Sequence, residues 1–367
     1  MRRLLVTVDS LRLDHYDRMA ATREFVGESH PRAFSTATAT LGAFPTMMTG
    51  RYDANHSIDP AESFVNEIEA PSIGITTNRL TRAEYGYAGG LDSFSSPASR
   101  GEDTMKERVG DRISNDRVYR LAARLYSLFQ RATPTTPAKS FRRTDDVVEE
   151  FLDWSSDREE YFGWLHLMEP HHPYDPDDAP VSRTRAQALS RDAIATDDPG
   201  DPETVRDLYA REVEETDERL AALWEAIPTD TQVVFAADHG ELLGEDGVWG
   251  HPGQQFHPDI LRIPFATRNI DVDSPVRSFI DIPALFLGED WRESRRRRTV
   301  AYASMSGLKC AFDETHMLTE DAAYALDGGD EEPAASLQRA LSSFEPSTIT
   351  KQDGVEEDLQ ALGYLEE

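Results

Sequence analysis

Two short apolar runs in this chain stop at side chains that bind hard cations. Val234-Phe235-Ala236-Ala237 runs into Asp238-His239-Gly240-Glu241, and Leu4-Leu5-Val6-Thr7-Val8 runs into Asp9-Ser10-Leu11-Arg12. Runs of this length read as buried strands, and a polar ligand directly after a buried strand sits where the strand meets a loop. In an open α/β sheet that edge is where the chemistry is kept. The two strands would therefore deliver three ligands, Asp9, Asp238 and His239, to one sheet edge. Taken alone, each has a plainer reading: Asp9 as a strand-end turn residue, Asp238-His239 as a loop with a satisfied histidine.

Further apolar runs recur at residues 72–77, 161–168 and 262–267, with helical patterns between several of them. Strands alternating with helices predict an α/β fold: a mostly parallel central sheet flanked by helices on both faces. Residues 203–227 carry Val205, Leu208, Val213, Leu220, Leu223 and Trp224 at helical spacing, with Asp201 and Pro202 as a start signal. Residues 100–145 read as an insertion over the sheet edge, and the Asp- and Pro-rich stretch 174–201 as an exposed loop. The run Arg295–Arg298 reads as a solvated connector rather than an anion site, because no aromatic or glycine cradle accompanies it. Beyond it, short strands at 299–326 and a closing helix at 354–363 predict a small C-terminal α+β subdomain. The expected division is a catalytic domain at 1–290 and a subdomain at 291–367.

The chain of 367 residues holds 38 basic and 68 acidic side chains, a net charge of −30. Such a surface argues against nucleic acid and against anionic membranes as partners. Only four of the basic residues are Lys, and acidic excess with scarce Lys resembles a protein kept soluble in concentrated salt; an ordinary acidic protein is the alternative. The single Cys310 has no internal disulfide partner and reads as a small buried residue. The N-terminal apolar run is about five residues long, too short for a signal-peptide core. No stretch approaches the roughly 18 apolar residues of a membrane span. The expected location is cytoplasmic.

Between the two ligand strands, Ser35-Thr36-Ala37-Thr38-Ala39-Thr40 leads into Leu41-Gly42-Ala43-Phe44-Pro45-Thr46-Met47-Met48-Thr49-Gly50. This looks like a helix N-terminus carrying threonines and ending at glycine. Its positive dipole end suits an anionic ester and favours a deprotonated hydroxyl; helix capping is the competing role for the threonines.

With these stretches assembled, the chain resembles the sulfatase-like branch of the alkaline phosphatase superfamily. The matches run in order: Val6-Thr7-Val8-Asp9-Ser10-Leu11-Arg12 with Asp14-His15, Phe44-Pro45 through Thr49-Gly50-Arg51-Tyr52 with His56, and Gly89-Gly90-Leu91-Asp92-Ser93-Phe94. They continue with His166-Leu167-Met168-Glu169-Pro170-His171-His172-Pro173-Tyr174, Ala237-Asp238-His239-Gly240-Glu241, Trp249-Gly250-His251, Leu261-Arg262-Ile263-Pro264, Asp281-Ile282-Pro283 and Leu359-Gln360-Ala361-Leu362-Gly363-Tyr364-Leu365. The resemblance implies one divalent cation, Mn2+ or Zn2+ in preference to Mg2+ or Ca2+, bound by Asp9, Thr40, Asp238 and His239. It also implies Thr40 as nucleophile, ten residues before Gly50, with Thr38 in reserve. His171 falls where the family contacts the transferred group and His251 where it approaches the leaving oxygen. His166 and His172 read as packing or capping residues, and Asn78 as a turn residue or a substrate contact.

The chain also departs from the family's formylglycine enzymes. Those need Cys or Ser with Pro two residues and Arg four residues later, whereas Gly42 and Phe44 follow Thr40; Ser10 stands where a second acid is usual, and His239 where Asn is usual. The implied activity is metal-dependent hydrolysis of a sulfuric or phosphoric ester, on a small molecule or glycan, through a threonine nucleophile. One alternative is transfer of a sulfo or phospho-alcohol group to a glycan or lipid-linked acceptor. The other is a catalytically silent binding protein of the same fold.

Overall fold

The computed structural model describes residues 1–97, 142–253, 255–328 and 332–345. Most of the expected insertion at 100–145 and the whole closing helix at 354–363 lie outside the described residues. The strands are β1 (Arg2–Val8), β2 (Ala33–Phe34), β3 (Ser72–Thr76), β4 (Ser93–Ser95), β5 (Tyr161–Leu167), β6 (Gln232–Ala237), β7 (Leu242–Leu243), β8 (Trp249–Gly250), β9 (Phe265–Arg268), β10 (Arg277–Ser278) and β11–β14 within residues 301–325. The central sheet has the order β4-β3-β5-β1-β6-β9. All its pairings are parallel except that of β9, which runs antiparallel to β6 at the edge.

Helices cover both faces. On β5, Phe162 and Trp164 meet Phe286 and Phe44, rings borne by the helices Ile282–Leu287 and Thr40–Thr49. On the opposite face, Gly163 lies under Phe151 of the helix Thr144–Ser155; a side chain at Gly163 would drive into that ring. Alternate residues of one strand thus feed two helical layers, which is why the strands are apolar throughout instead of alternating.

Register decides where the polar ends of the strands fall. Thr7 pairs with both His166 and Ala236, and Val8 with Leu167 and Ala237. The residues following β1, β3, β5 and β6 therefore emerge together at the carboxyl edge of the sheet.

The helix Pro202–Ala226 matches its expected extent, with the Asp201 side chain accepting from the Thr204 N–H at 3.2 Å. The reading of residues 174–201 as an exposed loop is corrected: Arg183–Thr196 is a helix, capped by Ser182 and ended by Asp197 in the left-handed region. Its buried face consists of Ala186, Gln187, Leu189, Ser190 and Ala193. Small and polar residues at helical spacing leave little apolar periodicity to read.

The solvated-connector reading of Arg295–Arg298 is corrected at one position. The Arg298 guanidinium is buried and clamps Asp281 through Nε and Nη2, at 2.6 Å for the shortest contact. The strands β11–β14 form an antiparallel sheet. It stacks Phe312 on Phe34 at 4.2 Å, and its Ser304 N–H donates to the Thr36 carbonyl at 2.9 Å, bracing the segment that precedes Thr40. Cys310 is buried, as expected.

Candidate metal centre and active site

Asp9 follows β1 and Asp238 follows β6, and both carboxylates are fully buried. The backbone fixes them: the Asp9 N–H donates to the Leu167 carbonyl at 2.9 Å and the Asp238 N–H to the Val8 carbonyl at 3.3 Å. Gly240 allows the turn after His239 to pass under the Asp259 carbonyl, which a Cβ would strike. The helix Thr40–Thr49 begins at Thr40 and ends at Gly50, whose φ of +61° suits glycine and whose missing side chain makes room for the Trp291 ring.

These elements bring the predicted ligands together. Thr40 Oγ1 lies 2.8 Å from Asp238 Oδ2 and 3.2 Å from Asp9 Oδ2. His239 Nε2 is 3.6 Å from Asp9 Oδ1 and 3.7 Å from Asp238 Oδ2. Ligand atoms of Asp9, Asp238 and His239 all fall within 4.8 Å of one another. Thr38 is buried as well, but its hydroxyl has no hydrogen-bond partner. The threonines do not cap the helix: Ala39 occupies the cap position, and Thr36 instead shares a hydrogen bond with Thr46 at 2.6 Å.

The electrostatics of this group call for a cation. Burial and the neighbouring Asp9 charge push the Asp238 carboxyl up to about 6. Burial opposes the Asp9 charge too, yet His171, His166 and His239 hold that carboxyl well below the usual range. Two carboxylates in one dry site cannot both stay charged without a positive partner. The His239 Nδ1 sits 2.9 Å from the Gly240 carbonyl, which can only accept, so that nitrogen carries a proton. Its Nε2 is buried, has no hydrogen-bond partner and faces the two acids. Carboxylate oxygens, an imidazole nitrogen and a hydroxyl around one point fit a divalent cation.

Neighbouring side chains hold the acids in place. Asn78 takes the turn role expected of it, Oδ1 accepting from the Leu80 N–H at 2.8 Å, while its Nδ2 donates to Asp9 Oδ2 at 2.8 Å. Ser10, at φ +59°, donates its hydroxyl to Asp9 Oδ1 at 3.0 Å. Arg12 is buried and bridges Asp14 at 2.7 Å, Glu245 at 2.9 Å and the Glu241 carbonyl at 2.9 Å, tying the β1 loop to the β6 loop.

A second buried group adjoins the first. The His251 ring lies 4.4 Å from that of His239 and 5.3 Å from that of His171. Burial and the His172 ring push His171 down to about 3, and burial lowers His251. Glu241 is held well below the usual carboxylate range by His251 and His172 despite its burial.

His166 and His172, read as packing or capping residues, are both buried next to the site: His166 Nε2 stands 3.7 Å from Asp9 Oδ2, and the His172 ring packs on His171 at 4.2 Å. Glu241 was not singled out by sequence; its place in Asp-His-Gly-Glu, after a strand already read as ligand-bearing, was the available signal. His166 could have been found from strand alternation, being the register partner of Thr7 next to Asp9.

Among the described residues, no helix is long and apolar enough to cross a membrane. No curated protein matches the chain. Among solved structures it is similar to the phosphonate monoester hydrolase SpPMH from Silicibacter pomeroyi, at 17% identity and TM-score 0.56 over 92% of this chain and 93% of that one. It is also similar to the lipoteichoic acid synthase LtaP from Listeria monocytogenes, at 15% identity and TM-score 0.57 over 99% and 91%. A third is the C-terminal periplasmic domain of the phosphoethanolamine transferase EptC from Campylobacter jejuni, at 15% identity and TM-score 0.52 over 78% and 89%. At these identities the likeness concerns the fold. The sulfatase family model matches residues 8–271, most of the chain, and the chain belongs to that family.

Proposed function

We propose that the protein is a metal-dependent hydrolase of sulfuric or phosphoric esters with Thr40 as its nucleophile. The observation that carries this reading is the contact of Thr40 Oγ1 with both buried carboxylates, 2.8 Å from Asp238 and 3.2 Å from Asp9. A threonine hydroxyl is a weak nucleophile at neutral pH. A divalent cation held by Asp9, Thr40, Asp238 and His239 lowers the hydroxyl pKa and screens the charge of an anionic ester. The mixed oxygen and nitrogen donors favour Mn2+ or Zn2+ over Mg2+ or Ca2+.

In this reaction Thr40 Oγ1 bonds to phosphorus or sulfur while the bond to the alcohol oxygen breaks. The hydroxyl proton passes to Asp238, the carboxyl it already contacts, and from there leaves with the alcohol. Asn78 and Ser10 keep Asp9 oriented, and His171 and His251 meet the charge on the departing oxygen. Water then attacks the threonyl ester: its oxygen bonds to phosphorus or sulfur, the bond to Thr40 Oγ1 breaks, and one of the water protons restores the Thr40 hydroxyl.

The test is turnover of chromogenic aryl sulfate, phosphate diester and phosphonate monoester substrates with each of the four cations, at low and high salt. Activity that disappears in Thr40→Ala supports the reading, and activity that survives the substitution defeats it. Absence of both activity and bound metal would favour the silent binding protein.

A transferase reading uses the same residues and is supported by the similarity to a lipoteichoic acid synthase and a phosphoethanolamine transferase. Added alcohols or sugars decide between the two. Acceptor-dependent acceleration with a transfer product indicates transfer, and water as sole acceptor indicates hydrolysis.

A further inference from the structure

We propose that a cavity at the far end of the helix Thr40–Thr49 binds a neutral saccharide. The inference goes beyond the ester-hydrolase reading and does not depend on it. The cavity measures about 660 Å3 and opens where the residues after Gly50, the loop at 292–293, β11 (Ala301–Met305) and the end of the helix Ala335–Ser343 come together. The helix Thr40–Thr49 has 10 residues, so this end lies roughly 15 Å from Thr40 and outside the metal-ligand group.

Three aromatic rings from three elements form the cavity wall. Tyr302 of β11 stacks on Phe344 at 4.5 Å, and Tyr52 meets both edge-on, at 5.7 and 5.3 Å. Tyr302 and Phe344 are half-buried, which leaves ring surface for a ligand to cover. The wall is held by contacts of its own. The Phe344 carbonyl accepts from Lys309 Nζ at 3.1 Å, and Glu293 accepts from the Tyr52 N–H at 2.8 Å while its own N–H donates to the Gly50 carbonyl at 2.9 Å. Arg292 donates to the Thr49 and Glu62 carbonyls at 2.8 and 3.0 Å. A wall built in advance costs little ordering when a ligand binds.

The charges around the rings select the ligand. Asp53, Glu293 and Glu345 outnumber Arg51 and Arg292 on a chain of net charge −30, which opposes a free anion. The two guanidiniums oppose a metal ion. A neutral polyol satisfies both kinds of group at once, its hydroxyls donating to the carboxylates and accepting from the guanidiniums. Arg51 keeps donors for this purpose, since its contact with Glu62 is long, at 3.8 Å, and exposed. A sugar ring adds an apolar C–H face that covers aromatic surface, which a linear polyol lacks. The volume falls within the roughly 300–1,000 Å3 of small-molecule pockets and suits a short oligosaccharide.

Isothermal titration calorimetry of the full-length protein with maltotriose, cellotriose and triacetylchitotriose tests the assignment. Tyr302→Ala, Asp53→Asn and Thr40→Ala are titrated alongside, with circular dichroism to verify folding. Binding of at least one sugar in the millimolar range is expected, weakened about tenfold or more in Tyr302→Ala and in Asp53→Asn and unchanged in Thr40→Ala. Saturation-transfer difference NMR on wild type needs no variant and should carry magnetisation from the protein's aromatic protons to C–H protons of the sugar. Absence of binding with all three sugars overturns the proposal. Binding that Tyr302→Ala or Asp53→Asn leaves unchanged, or that vanishes in Thr40→Ala, also overturns it, because the sugar then sits elsewhere. Each of these failures leaves the ester-hydrolase reading standing, since that reading is decided by aryl-ester turnover, which Tyr302→Ala should leave at the wild-type rate.

Discussion

His251 Nδ1 donates to Glu241 Oε1 across 2.8 Å, with both side chains sealed from solvent. The pairing fixes the imidazole's orientation and tautomer, so in the proposed ester hydrolysis Glu241 acts through His251. Glu241→Gln keeps the shape and removes the charge. We expect kcat to fall roughly 10- to 100-fold with little change in KM, as for other carboxylates that orient a site imidazole. Steady-state kinetics on an aryl ester checks this; a variant within twofold of wild type would mean that the carboxylate only packs.

Thr40 is tested by removing its oxygen and then restoring it. Thr40→Ala should lower kcat by about 10³-fold or more, since among the described residues no other hydroxyl contacts both acids. Thr40→Ser should recover a measurable part of the rate, and Thr38→Ala should leave it within about tenfold. A Thr38→Ala variant as inactive as Thr40→Ala would transfer the nucleophile assignment to the reserve residue.

The central sheet and the Asp9–Thr40–Asp238–His239 group were legible because local signals agreed with the fold. Apolar runs at 3–8, 72–77, 161–168 and 231–237 are uniformly apolar because both faces of the sheet are covered. Their polar terminators coincide with the carboxyl edge. The helix Arg183–Thr196 was hidden by a buried face built from Ala, Gln and Ser. The approach of His172 to Glu241 depends on two loops meeting after β5 and β6, and Arg298 finds Asp281 across 17 residues. Such pairings are set by tertiary packing and leave no mark on local periodicity.

The Asp281–Arg298 pair lies outside the reactive group and should matter for stability alone. Arg298 is nine-tenths buried, and its guanidinium rests on both oxygens of a fully buried carboxylate. Asp281→Asn leaves that cation without its counter-charge, at an expected cost of about 3–5 kcal/mol. Urea unfolding of the metal-loaded variant checks the magnitude. Metal content unchanged from wild type would confirm that the effect is confined to folding.

Acid should destabilise the fold partly through His171. Burial and His172 lower its folded pKa to about 3, against 6.5 in an exposed chain. Between those values the unfolded state binds the extra proton, so stability is full above about pH 6.5 and is lost as pH falls toward 3. At about 1.4 kcal/mol per unit, the loss amounts to a few kcal/mol. His171→Asn removes the contribution. The difference in urea midpoint between wild type and this variant should therefore change across pH 6.5 to 4, and a flat difference would remove His171 from the account.

Asp238 works in the opposite sense when no metal is bound. Its folded carboxyl is raised to about 6 by burial and by Asp9, against 3.8 unfolded. The folded state then binds the extra proton between those values, so metal-free stability decreases as pH rises from about 4 to 6 and stays lower above. Asp238→Asn removes the penalty and should stabilise the metal-free protein at pH 7.5 by about 1–3 kcal/mol. The same substitution removes a ligand, so added Mn2+ or Zn2+ should raise the Tm of wild type and leave that of the variant nearly unchanged. Thermal unfolding in chelator and in excess metal measures both. A variant that is less stable than wild type in chelator, yet still gains Tm with metal, would contradict the assignment of Asp238 as a ligand held under charge repulsion.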